Sequence, residues 1–142
     1  MRVCLGAARP DLAHTPSMNL VAQVFAIIAA LVHVGAWVLE SFLFRRPAVQ
    51  TFMLGRPEPA AGVQLWAFNQ GFYNLFLAAG PIAGLIAYHA GNVDVGRALV
   101  IYGCAFMAAC GVVLFVSNRK LWRGMLGQSG PPLIALVATL LS

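Results

Sequence analysis

Residues 19–44 read NLVAQVFAIIAALVHVGAWVLESFLF, a run whose only strongly polar members after its first residue are Gln23, His33 and Glu40. As an α-helix rising 1.5 Å per residue it would be about 39 Å long, enough to cross a hydrocarbon core of about 30 Å. It is too long for the apolar core of a signal peptide, and no small-x-small cleavage site leads into a soluble domain, so the run is expected to stay as a retained membrane helix. Arg45, Arg46 and Pro47 close it, because a charged pair belongs at the interface and proline disfavours continuation.

Similar runs follow. Beyond the loop of Pro57, Glu58 and Pro59, a second span is expected over 61–89, with Asn69, Gln70, Tyr73 and Asn74 in its first half and Gly80, Pro81 and Gly84 in its second. Gly80 and Gly84 form a small-xxx-small pair that permits close helix approach, and Pro81 is expected to kink the helix. A turn at Gly91, Asn92 and Asp94 precedes a third span over 96–116, which carries Gly103, Cys104, Ala108 and Gly111. After Arg119, Lys120 and Arg123, a shorter fourth span is expected over 124–141 with Gln128, Pro131 and Pro132, its early prolines allowing a start nearer Pro131. Residues 1–17 read as a polar tail, and Met18 is a candidate for the true start, which the intact mass of protein from its native host reads directly.

The fold class expected is therefore an all-α membrane protein: a four-transmembrane-helix bundle over 18–142 with short loops. Composition agrees, since 61% of the 142 residues are hydrophobic and 9% charged, with mean hydropathy +0.82, against about 25% charged in soluble domains. The net charge of +5 does not point to nucleic acid, because the basic residues fall in ones and twos between apolar runs. They follow membrane topology instead. Arg45, Arg46, Arg56, Arg119, Lys120 and Arg123 lie in the first and third loops, so both termini are expected on the outer side of a bacterial inner membrane. Cys4, Cys104 and Cys110 show no metal-type spacing, and neither a disulfide framework nor a zinc site is expected.

The polar residues within the spans carry the functional signal. An ionisable group inside a span costs about 2.5–3.5 kcal/mol on insertion scales. Glu40 and His33 are seven residues apart, two turns, and so share a helix face about 10 Å apart along the axis. Counted from the basic loops, Glu40 is about 6 Å deep, His33 about 16 Å, Asn69 to Asn74 about 12–20 Å, and Gln128 one turn. These polar groups are expected in one leaflet half, as a buried pocket near the cytoplasmic side. In the second span Gln70 shares a face with Asn74, and Asn69 with Tyr73, an arc too broad for a single helix contact.

The plainer alternative is that these amides and the tyrosine hydroxyl glue helices together at about 0.6 kcal/mol per bond while Glu40 snorkels to the interface. For Asn69 and Asn74 the two readings weigh equally. For His33 with Glu40 an acid and an imidazole in low dielectric favour proton-transfer chemistry. His14 and His89 are given no role, and Trp37, Trp66, Tyr88 and Trp122 are read as interfacial anchors or lipid-facing packing.

His33, then Glu40-Ser41-Phe42-Leu43-Phe44, then Asn69-Gln70-Gly71-Phe72-Tyr73-Asn74 leading to Leu77-Ala78-Ala79-Gly80, and finally Gln128 with Pro131, resemble the small bacterial membrane family called domain of unknown function 1304. The resemblance runs from about Met18 to the C-terminus, and the Asn-Gln-Gly-x-Tyr-Asn string is its most specific part. The chain departs from the family at Gln128-Ser129, where Gln-Gly is usual, and at Phe44, where Trp often ends the first helix. The resemblance implies a four-helix membrane fold and brings no established activity.

Three functions compete. The first is a membrane enzyme or binding protein for a lipophilic small molecule, with His33 and Glu40 as catalytic acid–base pair and Asn69, Gln70, Tyr73, Asn74 and Gln128 holding the substrate; isomerisation or ring-opening would need only proton shuttling. The second is a proton-coupled exporter of the small multidrug-resistance type, against which Glu40 lies near a helix end and not at the midplane. The third is an accessory subunit cemented by its polar groups. The bilayer is a partner in every case, homo-oligomerisation suits all three, and the sequence names neither metal nor cofactor.

Overall fold

The computed structural model describes residues 17–57 and 60–142. The expected tail, apart from Ser17, and the loop residues Glu58 and Pro59 lie outside the described residues. The described residues form five α-helices: α1 (Leu20–Val38), α2 (Pro47–Leu54), α3 (Ala61–His89), α4 (Val93–Ser117) and α5 (Trp122–Leu140). No strand occurs among the described residues.

Local chemistry sets most of the helix ends. Asn19 caps α1, its side chain accepting from the Ala22 amide. Gly55, at φ +77°, takes the left-handed position that ends α2 and donates its N–H to Thr51 O. Gly91, at φ +92°, reverses the chain after α3, and α4 then begins at Val93, earlier than expected. Asp94 thus lies in the first turn of α4, where a negative charge suits the helix dipole. Asn118 accepts from Lys120 N in a short 3-10 turn over Arg119–Leu121 that leads into α5.

Two expectations about elements need correction. The chain between the first two spans is not all loop, because Pro47 sits at the start of a helix, where its missing N–H costs nothing, and α2 adds a fifth helix to the four expected. The fourth long helix starts at Trp122 and runs through Pro131 and Pro132 without waiting for them. Lacking N–H groups, these prolines leave the Gly127 and Gln128 carbonyls without their intrahelical donors, yet the Pro132 ring is fully buried, so packing offsets the loss.

Among the described residues three helical stretches are long and apolar enough to cross a membrane: Leu20–Leu43, Ala61–His89 and Val93–Ser117. α5 is not among them, since Gln128, Ser129 and three glycines dilute its apolar character. It nevertheless packs on both α1 and α4, as α3 does, so the four long helices close into a ring with α1 and α4 on opposite corners.

The inside of this ring is built largely from small side chains, with Met107, His33 and Val100 the largest that are fully buried. On α1 the buried face is Ala22, Ala26, Ala29, Ala30 and His33, while Leu20, Val21, Ile27 and Leu31 point outward. Water would reverse that arrangement, whereas in lipid the outer surface can be apolar and association depends on close backbone approach. At the α3–α4 contact, a Cβ added to Gly96 would lie 2.7 Å from Gly84 O and 2.6 Å from Tyr88 Cβ. Gly103 receives the ring of Pro81, to which an added Cβ would come within 2.8 Å. The expected Gly80/Gly84 pair is thus half right: Gly84 meets Gly96, but a Cβ on Gly80 would meet nothing within 4 Å. Gly96→Val is expected to lower stability in micelles by about 1–3 kcal/mol through overpacking, and Gly80→Ala to leave the thermal midpoint unchanged; equal midpoints for the two would refute this packing.

Polar contacts hold the end of the ring where α1 starts. The Met18 N–H donates to the Tyr88 hydroxyl (3.1 Å), and Arg97 donates to Ser17 O (2.7 Å) and Thr139 O (2.9 Å). Asn19 donates to Ala138 O, and Gln23 Oε1 faces His89 Nε2 at 2.9 Å. Tyr88 therefore bridges elements and is not simply a lipid-facing ring.

Candidate functional site

At the other end, α1 does not stop at Val38 but widens into a single π turn, Leu39–Leu43, that carries Glu40 and Ser41. Such turns contain one residue more than an α-turn and shift the faces of everything beyond them. Trp37 and Phe42 show the effect: five residues apart, they would point about 140° apart on a regular α-helix, yet their rings meet edge-on at 5.4 Å. Phe72 of α3 packs on Trp37 at 6.1 Å, and Phe68 on Phe72 at 5.2 Å, so an aromatic wall backs the turn.

Gly71 makes the approach of α3 possible. A Cβ there would collide with Ser41 Oγ and lie 3.1 Å from Trp37 O and 3.2 Å from Glu40 Cβ. With no Cβ in the way, Ser41 Oγ donates to Phe68 O at 3.2 Å, and Asn74 Nδ2 donates to Glu40 Oε2 at 2.7 Å. The carboxylate bond is short, as charge-assisted hydrogen bonds are.

Beside the turn opens a cleft of about 370 Å³. Glu40, Ser41, Arg45 and Gln64 are its polar lining, and Phe42, Phe44, Leu65 and Phe68 supply most of the apolar lining. It thus offers an acid, a cation and a hydroxyl next to aromatic surface at the end of a membrane-length helix, an arrangement suited to an amphiphile's polar end.

The expected site residues separate into groups. Glu40 and Asn74 are joined directly. His33 is 1% exposed, and its Nδ1 lies 2.9 Å from Ala29 O, while Nε2 has no hydrogen-bond partner among the described residues. It does not bond Glu40. Gln70, half-buried and one turn before Asn74, makes no side-chain hydrogen bond to a described residue. Asn69 and Tyr73 leave the constellation: both are exposed on the outer face of α3, Asn69 bonding Leu65 O of its own helix and Tyr73 being 65% exposed. Gln128 is half-buried on α5 and does not line the cleft. Its neighbour Ser129 is the buried one, donating to Ala108 O at 3.0 Å across the α4–α5 contact.

The depth count also changes. Glu40 lies four residues from the end of its apolar run and Asn74 thirteen from the start of α3, yet they bond, so α3 overshoots α1 at this end by about two and a half turns. The overshoot forms one side of the cleft, with Ala61, Gln64 and Leu65. Arg45, Ser41 and Gln64 were not among the expected site residues. In sequence Arg45 marks only a helix end and a cytoplasmic charge, and Gln64 enters through a register that periodicity does not encode.

The family described as "Protein of unknown function (DUF1304)" matches residues 27–140, from the middle of α1 to the last residue of α5. The chain belongs to this family. The DUF1304 match starts inside the first helix and takes in the π turn, the Gly71 approach and every residue lining the cleft. No curated protein and no solved structure matches the chain. For this DUF1304 member the chemistry must therefore be argued from the site itself.

Proposed function

We propose that this DUF1304 protein binds a lipophilic small molecule in the Glu40 cleft and carries out acid–base chemistry on it. The observation that carries the reading is the Glu40 carboxylate, which sits on a π turn and accepts from Asn74 at the wall of a cleft lined by both polar and aromatic side chains. π turns recur where function has been preferred to regular geometry. In this reading Glu40 takes and returns the proton, Arg45 and Gln64 orient the polar end of the ligand, and His33 is a second proton-transfer group two turns deeper. α5 completes the ring as a fourth span, with the six basic residues of the first and third loops on the cytoplasmic face of a bacterial inner membrane and both termini outside.

Native mass spectrometry of the protein extracted with its lipids tests the binding step. Wild type is expected to retain a specific lipophile, and Glu40→Gln, which keeps the shape of the side chain, to retain at least about tenfold less, a loss of about 1.4 kcal/mol. Equal retention by the two proteins would remove Glu40 from the binding site. A ligand so identified, turned over by wild type and not by Glu40→Gln, would assign the chemistry; an inert ligand would leave a binding protein.

A further inference from the structure

His33 and Trp37 lie one turn apart on α1, and each has a ring nitrogen that is buried with no hydrogen-bond partner among the described residues: His33 Nε2 and Trp37 Nε1. Burying a polar group without a partner is costly, and folded proteins keep few such groups, so two on adjacent turns call for an explanation. What could satisfy them follows from their chemistry. A carbonyl oxygen only accepts, so the 2.9 Å contact with Ala29 O places the histidine proton on Nδ1. Nε2 of the neutral ring is then an acceptor, whereas an indole N–H is a donor only. His33 and Trp37 stand at i and i+4, with Cβ atoms about 6 Å apart on a single helix face, and one acceptor and one donor so placed are together complementary to one group that gives a proton and accepts another.

We propose that a single hydroxyl bridges this pair, its O–H donating to His33 Nε2 and its oxygen accepting from Trp37 Nε1, and that it comes from a buried water or from the alcohol end of a lipophilic ligand. Trp37 is also the element that connects the pair to the cleft, since its ring rests edge-on against Phe42, a residue of the cleft wall. A carbonyl or an ether would serve Trp37 and leave His33 unsatisfied. An ammonium would serve His33 and leave the indole N–H unsatisfied. The inference rests on the proposed function only for the cleft as the ligand's way in; the bridge stands on the two nitrogens.

The experiment uses full-length protein with 15N-labelled tryptophan and histidine in lauryldimethylamine oxide, a detergent without hydroxyls. Trp66→Phe and Trp122→Phe, both at exposed positions, assign the Trp37 indole signal by elimination. A bridging water predicts a Trp37 N–H already in its hydrogen-bonded, downfield position before any addition. A bridging alcohol predicts a downfield shift on adding dodecanol, accompanied by a shift of the His33 Nε2 signal. Dodecyl methyl ether is expected to leave Nε2 unmoved in either case, and His33→Phe to abolish the downfield position of Trp37. An indole N–H that stays in its free position with and without dodecanol overturns the bridge, and so does a bonded one that ignores His33→Phe. The wild-type titration depends for its assignment only on Trp66→Phe and Trp122→Phe, whose exposed positions leave the packing unchanged. Lipophile retention in Glu40→Gln is read separately, so the bridge can fail while the cleft stands, and the reverse.

Discussion

Asn74→Asp is expected to lower stability at neutral pH by about 1–3 kcal/mol, the range for leaving a desolvated acceptor without its donor. The Asn74 amide donates to Glu40 Oε2 at 2.7 Å; the aspartate would instead present a second acceptor at the same place. Two carboxylates at that distance cannot both hold charge in a low-dielectric setting. The diagnostic variant is the exchange Glu40→Gln with Asn74→Asp, in which the glutamine amide donates to the new carboxylate and the pair is rebuilt with its roles reversed. Most of the lost stability should return. Thermal unfolding in micelles reads both, and a double variant no more stable than Asn74→Asp would mean that the pair does not hold the α1–α3 contact. Because the exchange moves the charge to α3, it should fold yet fail to bind the lipophile, so folding and function are read apart.

Gly71→Val is the second large effect, with an expected loss of about 3 kcal/mol, the upper part of the overpacking range. The first atom in the way is Ser41 Oγ, and behind it are Trp37 O and Glu40 Cβ. A side-chain oxygen can be removed and a backbone oxygen cannot. Ser41→Ala should therefore recover part of the loss in the milder Gly71→Ala and little of it in Gly71→Val, where the branched side chain also reaches the backbone. The same double variants report on the site, since anything that pushes α3 away lengthens the Asn74–Glu40 bond. If Gly71→Val unfolds at the wild-type midpoint, α3 does not approach the π turn as described.

The two variants test different things. Asn74→Asp changes charge at almost constant shape, and Gly71→Val changes shape at constant charge. Loss of lipophile retention in the first alone would put the ligand on the Glu40 carboxylate. Loss in both would mean that the ligand also needs the spacing between α1 and α3 that Gly71 permits.

The sequence by itself determined the long helices and the solvent they suit. Runs such as 19–44 and 61–89 are apolar beyond what any soluble helix needs, and that property is local, so α3 lies where its composition places it, over Ala61–His89. Glu40 stood out for the same reason, as a costly group in an apolar run. The tertiary structure decided which polar groups meet. Asn69 and Asn74 look alike in sequence, but one faces outward and the other holds the carboxylate. The choice depends on the rotation and axial offset of α3 against α1, and both are governed by close contact at Gly71, where a few tenths of an ångström matter. The π turn was likewise illegible, since no residue type in Leu39–Leu43 demands the extra residue per turn. Hydropathy is summed along the chain and survives in any arrangement of neighbours; register and helix face are properties of pairs, and they exist only once the helices have packed.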